Sequence, residues 1–442
     1  MALTGLEIFK QLPKKNCGEC GVPTCLAFAM ALASGKVSLD ACPYVAEEAK
    51  EVLESASKPP IKLVKIGTGK QLAEIGDETE LFRHDKRFFH PTALAIAVKD
   101  SEDVTTKIKY IDDLRFERAG LQYQVDLVAL YNDSGDPAQF EAAVEAAMQA
   151  TELPPILITE DVVAIKKALE VCAERNPLLY AATTDNYIQM AELAKSKAVP
   201  LAVYAENLEE LAQLVKKITK LGHNELVLDS GQRETHRVLA DLTQIRRLAI
   251  KKKYRPFGYP TIAFTNKDNP QEEIVQAGVY LSKYAGIIVL NAYEKQQLLP
   301  LLTWRQNLYT DPQKPIQVEA KLYAIGGVGE HSPVYCTTNF SLTYFIVKGE
   351  VENSRIPSYI LAVDTGGTSV LTAYADGKFT AETITKAMKD AGLDDKVKER
   401  KIIIPGQVAI LKGKLEEESG WEVIVGPREA AGIPKFVKNL FA

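Results

Sequence analysis

Short apolar runs alternate with amphipathic stretches through the middle of the chain, from Ala93 to about residue 312. The runs are ALAIAV, VDLVALY, PILIT, LLYAAT, PLAVYA, ELVLD, TIAF and GIIVL. Between them lie segments with helical periodicity, among them FEAAVEAAMQA, VVAIKKALEVCAE, YIQMAELAKSKA, LEELAQLVKKITKL and EEIVQAGVYLSKYA. Eight strands interleaved with helices is the count of a (β/α)8 TIM-type barrel, and the span of 93–312 is close to the roughly 250 residues typical of that fold. An open doubly wound sheet is the alternative. The strand ends are polar: Lys99-Asp100, Asn132-Asp133, Thr159-Glu160, Thr183-Thr184-Asp185, Glu206-Asn207, Asp229-Ser230, Asn266 and Asn291. In an enzymatic barrel that rim carries the active site, but strand exits and helix caps are polar in any case. No acid–base pair or phosphate loop stands out along it.

The pattern changes on both sides of this region. Residues 1–57 read as a small cysteine-bearing module that closes with the helical stretch VAEEAKEVLES near Ser55. Residues 58–92 read as a linker holding a short hairpin, IKLVKIGTGKQLAEIG, and a basic segment, FRHDKRFFHP. Residues 313–442 form a third domain. Its first part, QVEAKLYAIGGVGEHSPVYCTTNFSLTYFIVKGEVE, reads as β-rich, and the remainder alternates strand, loop and helix as a small Rossmann-like α/β unit. Three of its loops follow strands: Asp364 to Ser369 (DTGGTS), Pro405-Gly406-Gln407, and Gly426-Pro427-Arg428-Glu429. Open α/β sheets bind ligands at that end. Glycines allow close backbone approach, and Thr and Ser supply hydroxyls. There is no Walker loop and no G-x-G-x-x-G fingerprint here, and GGVGEH is only a loose phosphate-loop likeness. A large, flat or irregular cofactor fits better than a nucleotide.

The chain holds six cysteines, four of them before residue 43. Cys17, Cys20, Cys25 and Cys42 are spaced C-x2-C-x4-C-x16-C, with Pro43 directly after the last. Three close thiols and a distant fourth followed by proline suit a 4Fe-4S cluster. A structural zinc site, the alternative, usually comes as two short pairs. Gly18 and Gly21 let the backbone wrap closely, and LAFAMALASGKVSL reads as a short helix, ended by Gly35, that packs over the cluster. Cys172 lies in a helical pattern as a core residue. Cys336 is either core or close to a ligand.

Composition narrows the partners. The 442 residues carry a net charge of -5, with 46% hydrophobic and 25% charged residues. The sequence pI of about 5.8 argues against nucleic acid or an anionic membrane as the main partner. No apolar run reaches the roughly 18 residues of a membrane helix, and the N-terminus lacks a signal-peptide core. We therefore expect a cytoplasmic protein, where clustered cysteines are metal ligands more often than disulfides.

An N-terminal NCGECGVPTC…CP module, a central barrel and a C-terminal α/β domain with DTGGTSV, IIPGQVA and VGPREAAGIPKF together resemble the large (gamma) subunits of corrinoid iron-sulfur proteins of the acetyl-CoA pathway. The likeness covers essentially the whole chain. It implies a corrinoid-binding C-terminal domain and a heterodimer with a smaller barrel subunit. It also implies a methyl carrier, active within methyltransferase reactions, that takes methyl groups from a methyl-tetrahydrofolate methyltransferase and gives them to acetyl-CoA synthase. The cluster would return Co(II) to Co(I). The corrinoid would lie against Thr337, Asn339, Thr343, Gly366, Gly367, Thr368, Ser369, Gly406, Gln407, Gly426 and Arg428. The five histidines, His84, His90, His223, His236 and His331, include none in a D-x-H-x-x-G motif, so we expect base-off cobalt with no protein nitrogen ligand. Two other readings remain: a barrel enzyme with an accessory cluster, and an electron-transfer subunit without corrinoid.

Overall fold

The structure, a computed structural model, describes residues 5–33, 37, 39–46, 49, 53, 59–82, 88, 90–118, 120–310 and 315–440. Gly35, Ser55, Lys58 and His84, most of VAEEAKEVLES and most of FRHDKRF lie outside the described residues. The chain falls into two compact units, residues 1–114 with 124–309, and residues 115–123 with 310–442. Among the described residues no helix is long and apolar enough to cross a membrane.

The first unit opens with two helices, Gly5–Gln11 and Cys25–Ala33, which share a small apolar cluster built on Ile8, Leu12, Phe28 and Ala29 together with Cys25 and Cys42. An antiparallel hairpin follows, β1 (Val64–Ile66) and β2 (Ala73–Ile75). The first long strand is β3 (Ala93–Lys99). The chain then departs for a second hairpin, β4 (Phe116–Arg118) and β5 (Leu121–Tyr123), which belongs to the other unit. It returns for β6 (Leu127–Tyr131), β7 (Pro155–Ile158), β8 (Leu178–Ala182), β9 (Leu201–Tyr204), β10 (Leu226–Asp229), β11 (Ile262–Phe264) and β12 (Ile287–Leu290).

Strands β3 and β6 to β12 form one parallel sheet, in the order β10-β9-β8-β7-β6-β3-β12-β11. A single parallel bridge from Leu228 to Thr261 joins the two ends, so the barrel is nearly closed. Alternate positions point inward, as the period of two requires. Ala93, Ala95 and Ala97 of β3 meet Leu127 and Ala129 of β6 and their counterparts around the ring. Val64, Ile66 and Ile75 of the first hairpin belong to the same core. Gly67 N donates to the carbonyl of Asn176, which precedes β8, so the hairpin covers the mouth at the strands' N-terminal ends. The segment expected as a linker is thus a stopper for the barrel.

The second unit has a five-stranded sheet in the order β13-β15-β14-β16-β17, comprising β13 (Leu322–Ile325), β14 (Val334–Thr338), β15 (Ser358–Val363), β16 (Lys401–Ile404) and β17 (Glu422–Val425). Only β13 is antiparallel. Period-two alternation sends Val334, Cys336, Leu361, Val363, Ile402 and Ile404 to one face, and Tyr335, Ile360, Ala362 and Ile403 to the other. Helices cover both faces. One of them, Ser341–Ser354, corrects the β-rich reading of 317–352: the run SLTYFIV is aromatic and β-branched, yet Ser341, Tyr344, Val351 and Ser354 are buried at helical spacing.

Candidate functional site

The strand order of the second unit creates the site. From β14 the chain moves outward to β15, then returns past β14 to β16 and β17. Direction reverses between β14 and β16, and at such a point the loops leaving neighbouring strands part and leave a crevice. A cavity of about 360 Å³ lies there. Of the eleven residues expected to hold a ligand, Thr337, Thr343, Ser369, Gln407, Gly426 and Arg428 line it. Tyr335, Cys336, Ile346 and Leu371 complete much of the wall, and Ile346 and Leu371 are largely exposed. No histidine is among the lining residues.

The other five expected residues shape the loops and do not line the cavity. Asn339 is buried just beyond β14. Its Oδ1 accepts from the amides of Thr365 and Gly367 and from the Thr365 hydroxyl, at 3.0 to 3.1 Å. Its amide nitrogen donates to Gln317 and Asp364. One side chain therefore organises the DTGGTS loop. The Thr368 hydroxyl donates to the Thr365 carbonyl at 2.9 Å. Gly366 and Gly367 adopt φ of 65° and 75°, where a side chain is strained, and a Cβ on Gly367 would press on Pro315 and Gln317 rather than on the cavity. Gly406 lets the two final loops cross: its amide donates to Pro427, while Gly426 donates to Ile404.

Three hydroxyls on β14, those of Tyr335, Thr337 and Thr338, are buried without a hydrogen-bond partner among the described residues. Tyr335 and Thr337 belong to the cavity wall. An unmet buried hydroxyl costs about 1–3 kcal/mol, so such groups are normally satisfied. Two of them facing one crevice fit a ligand rich in amide or phosphate groups. Burial pushes the Tyr335 phenol and the Cys336 thiol well up, so both stay protonated. The nucleophile Cys336 could have supplied is thereby suppressed.

The four clustered cysteines differ in exposure: Cys25 and Cys42 are buried, Cys20 is half-buried and Cys17 is exposed. Cys20, Cys25 and Cys42 share the apolar cluster. Gly18 and Gly21 take φ of 79° and 78°, and the Gly21 amide donates to Gly18. Asn16 clamps the third thiol: its Oδ1 accepts from Cys25 N at 2.8 Å, and its amide lies 3.4 Å from Cys25 Sγ. Amide donation to a ligating sulfur is a feature of cluster sites. Among the described residues no three His, Cys, Asp or Glu side chains stand together as a ready metal cage.

At the barrel rim the polar residues bond to one another. Asp100 accepts from the amides of Asp133 and Ser134 and from the Ser134 hydroxyl. Buried Glu273 accepts from Asn291 and Ala292 amides and the Thr265 hydroxyl. Asn266 bonds to Gln276, and Asp185 N donates to Thr183. Tyr180 and Arg233, which the sequence reading did not single out, meet Asp229 in the mouth: Tyr180 donates at 2.6 Å, and Arg233 grips both carboxylate oxygens. The guanidinium also stacks 4.7 Å from the Phe264 ring centre. This is a knot of satisfied groups rather than a nucleophile and its base.

The CO dehydrogenase/acetyl-CoA synthase delta subunit family matches residues 63–437, and a family described as "Putative Fe-S cluster" matches residues 12–44. The corrinoid/iron-sulfur protein large subunit of Moorella thermoacetica is 60% identical over 441 residues, covering 99% of each chain. The chain belongs to the family of corrinoid/iron-sulfur protein large subunits. More distant members include the acetyl-CoA decarbonylase/synthase complex gamma subunits of Methanothermobacter thermautotrophicus and Methanopyrus kandleri. Each is 36% identical, over 456 and 454 residues, with 99% or more of this chain and 98% or more of theirs covered.

Proposed function

We propose that this chain is the cofactor-carrying subunit of a cytoplasmic methyl carrier in the acetyl-CoA pathway. It would receive methyl groups from a methyl-tetrahydrofolate methyltransferase and deliver them to acetyl-CoA synthase, working as a heterodimer with a small barrel subunit. A bound corrinoid supplies a cobalt nucleophile for the methyl group, and a 4Fe-4S cluster supplies the electron that returns Co(II) to Co(I).

The observation that carries this reading is the crevice at the β14/β16 reversal, with the Thr337 and Tyr335 hydroxyls buried and unmet on its wall. Thr337, Thr343, Ser369 and Gln407 would hydrogen-bond the polar substituents of the ring or its nucleotide tail. Arg428 would meet the tail's phosphate. Asn339, Gly366, Gly367 and Thr368 would hold the neighbouring loop in shape, and Gly406 and Gly426 would let the last two loops close in. With no histidine on the wall, the residues here favour cobalt without a protein nitrogen, and the axial ligand is a lever on cofactor potential. Cys17, Cys20, Cys25 and Cys42 would hold the cluster. The rim of this barrel then serves as scaffold and partner surface.

The test is cobalt and iron content with the visible spectrum of the purified heterodimer. Corrinoid bands and one cobalt per heterodimer are expected beside iron-sulfur absorption. A heterodimer with iron-sulfur absorption and no cobalt under conditions that load a characterised corrinoid protein would refute the carrier role.

A further inference from the structure

An electron must enter the cysteine module from outside, and the four thiols are not equally open to it. Cys17 alone of the four is exposed. The chain on its N-terminal side, from Lys14 to Asn16, is exposed too. Lys14 and Asn16 both take left-handed backbone, at φ of 58° and 49°, which non-glycine residues seldom adopt. Asn16 is held there by its bonds to Cys25, so the turn presenting Lys14 and Lys15 is fixed by the thiol site itself.

The two ammonium groups rest on rings rather than on carboxylates. Lys15 Nζ lies 3.8 Å from the Tyr44 ring centre and Lys14 Nζ 5.7 Å from that of Phe9. Neither has an ion-pair partner among the described residues. Tyr44 in turn stands at the thiols. It lies two residues after Cys42, and its hydroxyl donates to Glu19 Oε1 at 2.9 Å, two residues beyond Cys17. The same N-terminal segment also carries Glu7, Lys10 and Glu19. A chain of net charge -5 thus sets two cations without an ion-pair partner among the described residues at the exposed corner of its thiol site.

We propose that Lys14 and Lys15, resting on Phe9 and Tyr44, form the docking surface for an acidic one-electron carrier protein that delivers its electron at the Cys17 corner. The proposal rests on the cluster reading above. One electron passes from the donor's reduced centre to the cluster; the donor is oxidised, the cluster is reduced, and no proton or bond changes hands. Complementary charge raises the rate of encounter and makes it salt-dependent. Direct approach to an exposed ligand sulfur gives the shortest route inward.

The test uses the full chain in its heterodimer, with iron content and the cluster's electron paramagnetic resonance signal verified first; their absence in the unaltered protein would refute the cluster reading, and with it this one. Reduction of the cluster is followed by stopped flow with two donors, an acidic bacterial ferredoxin and the methyl viologen radical cation. Binding of oxidised ferredoxin is followed by titration calorimetry. In the double variant Lys14→Glu, Lys15→Glu, ferredoxin should bind more weakly and reduce the cluster about 10-fold more slowly at low salt, with a flattened salt dependence. Viologen should not be slowed. Lys14→Gln, Lys15→Gln should fall between. Unchanged ferredoxin kinetics and binding would overturn the assignment. So would equal slowing with both donors, which would place the effect in the cluster itself.

Discussion

Gly406 lies so close to Gly426 that a Cβ on the first would sit 2.5 Å from the carbonyl oxygen of the second and 2.9 Å from the amide of Arg428. Backbone meets backbone at this crossing, so no rotamer change can make room. Gly406→Ala should push the loops after β16 and β17 apart at the cavity edge. The expected cost is about 1–3 kcal/mol of stability, read as a lower urea midpoint, together with reduced cobalt content. Unchanged cobalt in a destabilised protein would separate the loop crossing from the ligand.

Thr337→Val keeps the shape of the side chain and removes a hydroxyl that has no partner among the described residues. Its effects should have opposite signs in the two forms. Without corrinoid, removing the unmet group should leave stability unchanged or raise it by about 1 kcal/mol. With corrinoid, the lost hydrogen bond should weaken binding about 5- to 10-fold, from the same 1 kcal/mol scale. Paired melts of the cofactor-free and loaded protein check this directly. A loss of stability in the cofactor-free form would show that the hydroxyl has a partner within the protein.

Much of the fold can be read from the sequence because its strands are covered on both faces. ALAIAV or GIIVL can hardly be other than an inner strand, and eight of them between helices leave few arrangements. The three strand-end loops announce themselves by glycine, joined by Thr and Ser in DTGGTS and by proline in the other two. What escapes has a physical reason in each case. The helix Ser341–Ser354 is built from residues that favour strands, and only tertiary packing of Tyr344 and Val351 decides it. Nothing local in β4 and β5 says that this hairpin packs with the C-terminal unit; Gly120 sits against the Phe345 ring, which is 225 positions later in the chain. Asn339 reads as a ligand contact because it stands next to the strand end, and its bonds to the DTGGTS loop depend on where Thr365 and Gly367 fold back to meet it.

Asp229 is 1% exposed and neutralises the half-buried Arg233 in the barrel mouth. Removing one partner of such a pair strands the other, at about 3 kcal/mol. Asp229→Ala should therefore lower the denaturation midpoint markedly while cobalt and iron content stay unchanged. Loss of methyl transfer in a variant still folded and fully loaded would reveal chemistry at this rim.

His223 introduces a pH dependence. It is 5% exposed, its Nε2 has no partner among the described residues, and burial lowers its pKa, partly offset by Glu225. The unfolded chain takes up a proton near the ordinary value of 6.5, while the folded form resists it. Below that value the unfolded state binds more protons, so stability falls as the pH falls, until the depressed folded pKa is reached. His223→Leu should flatten this part of the profile. Urea midpoints for both proteins at a pH above 6.5 and one well below it provide the check; parallel losses would assign the acid sensitivity elsewhere.

Cys20 is the half-buried member of the thiol set, between the two turns made by Gly18 and Gly21. Its thiol contacts the Val22 carbonyl at 3.7 Å, a weak bond whose loss alone would matter little. Cys20→Ala should therefore leave the apolar cluster of Ile8, Phe28 and Ala29 nearly intact and act through the metal. The expected result is loss or conversion of the iron-sulfur signal by electron paramagnetic resonance, with corrinoid bands preserved. Methyl transfer begun from cobalt reduced beforehand should survive, since in the proposed function the cluster would serve only to restore it. A full iron complement with an unaltered signal would remove Cys20 from the ligand set and leave the C-x2-C-x4-C spacing without its second member.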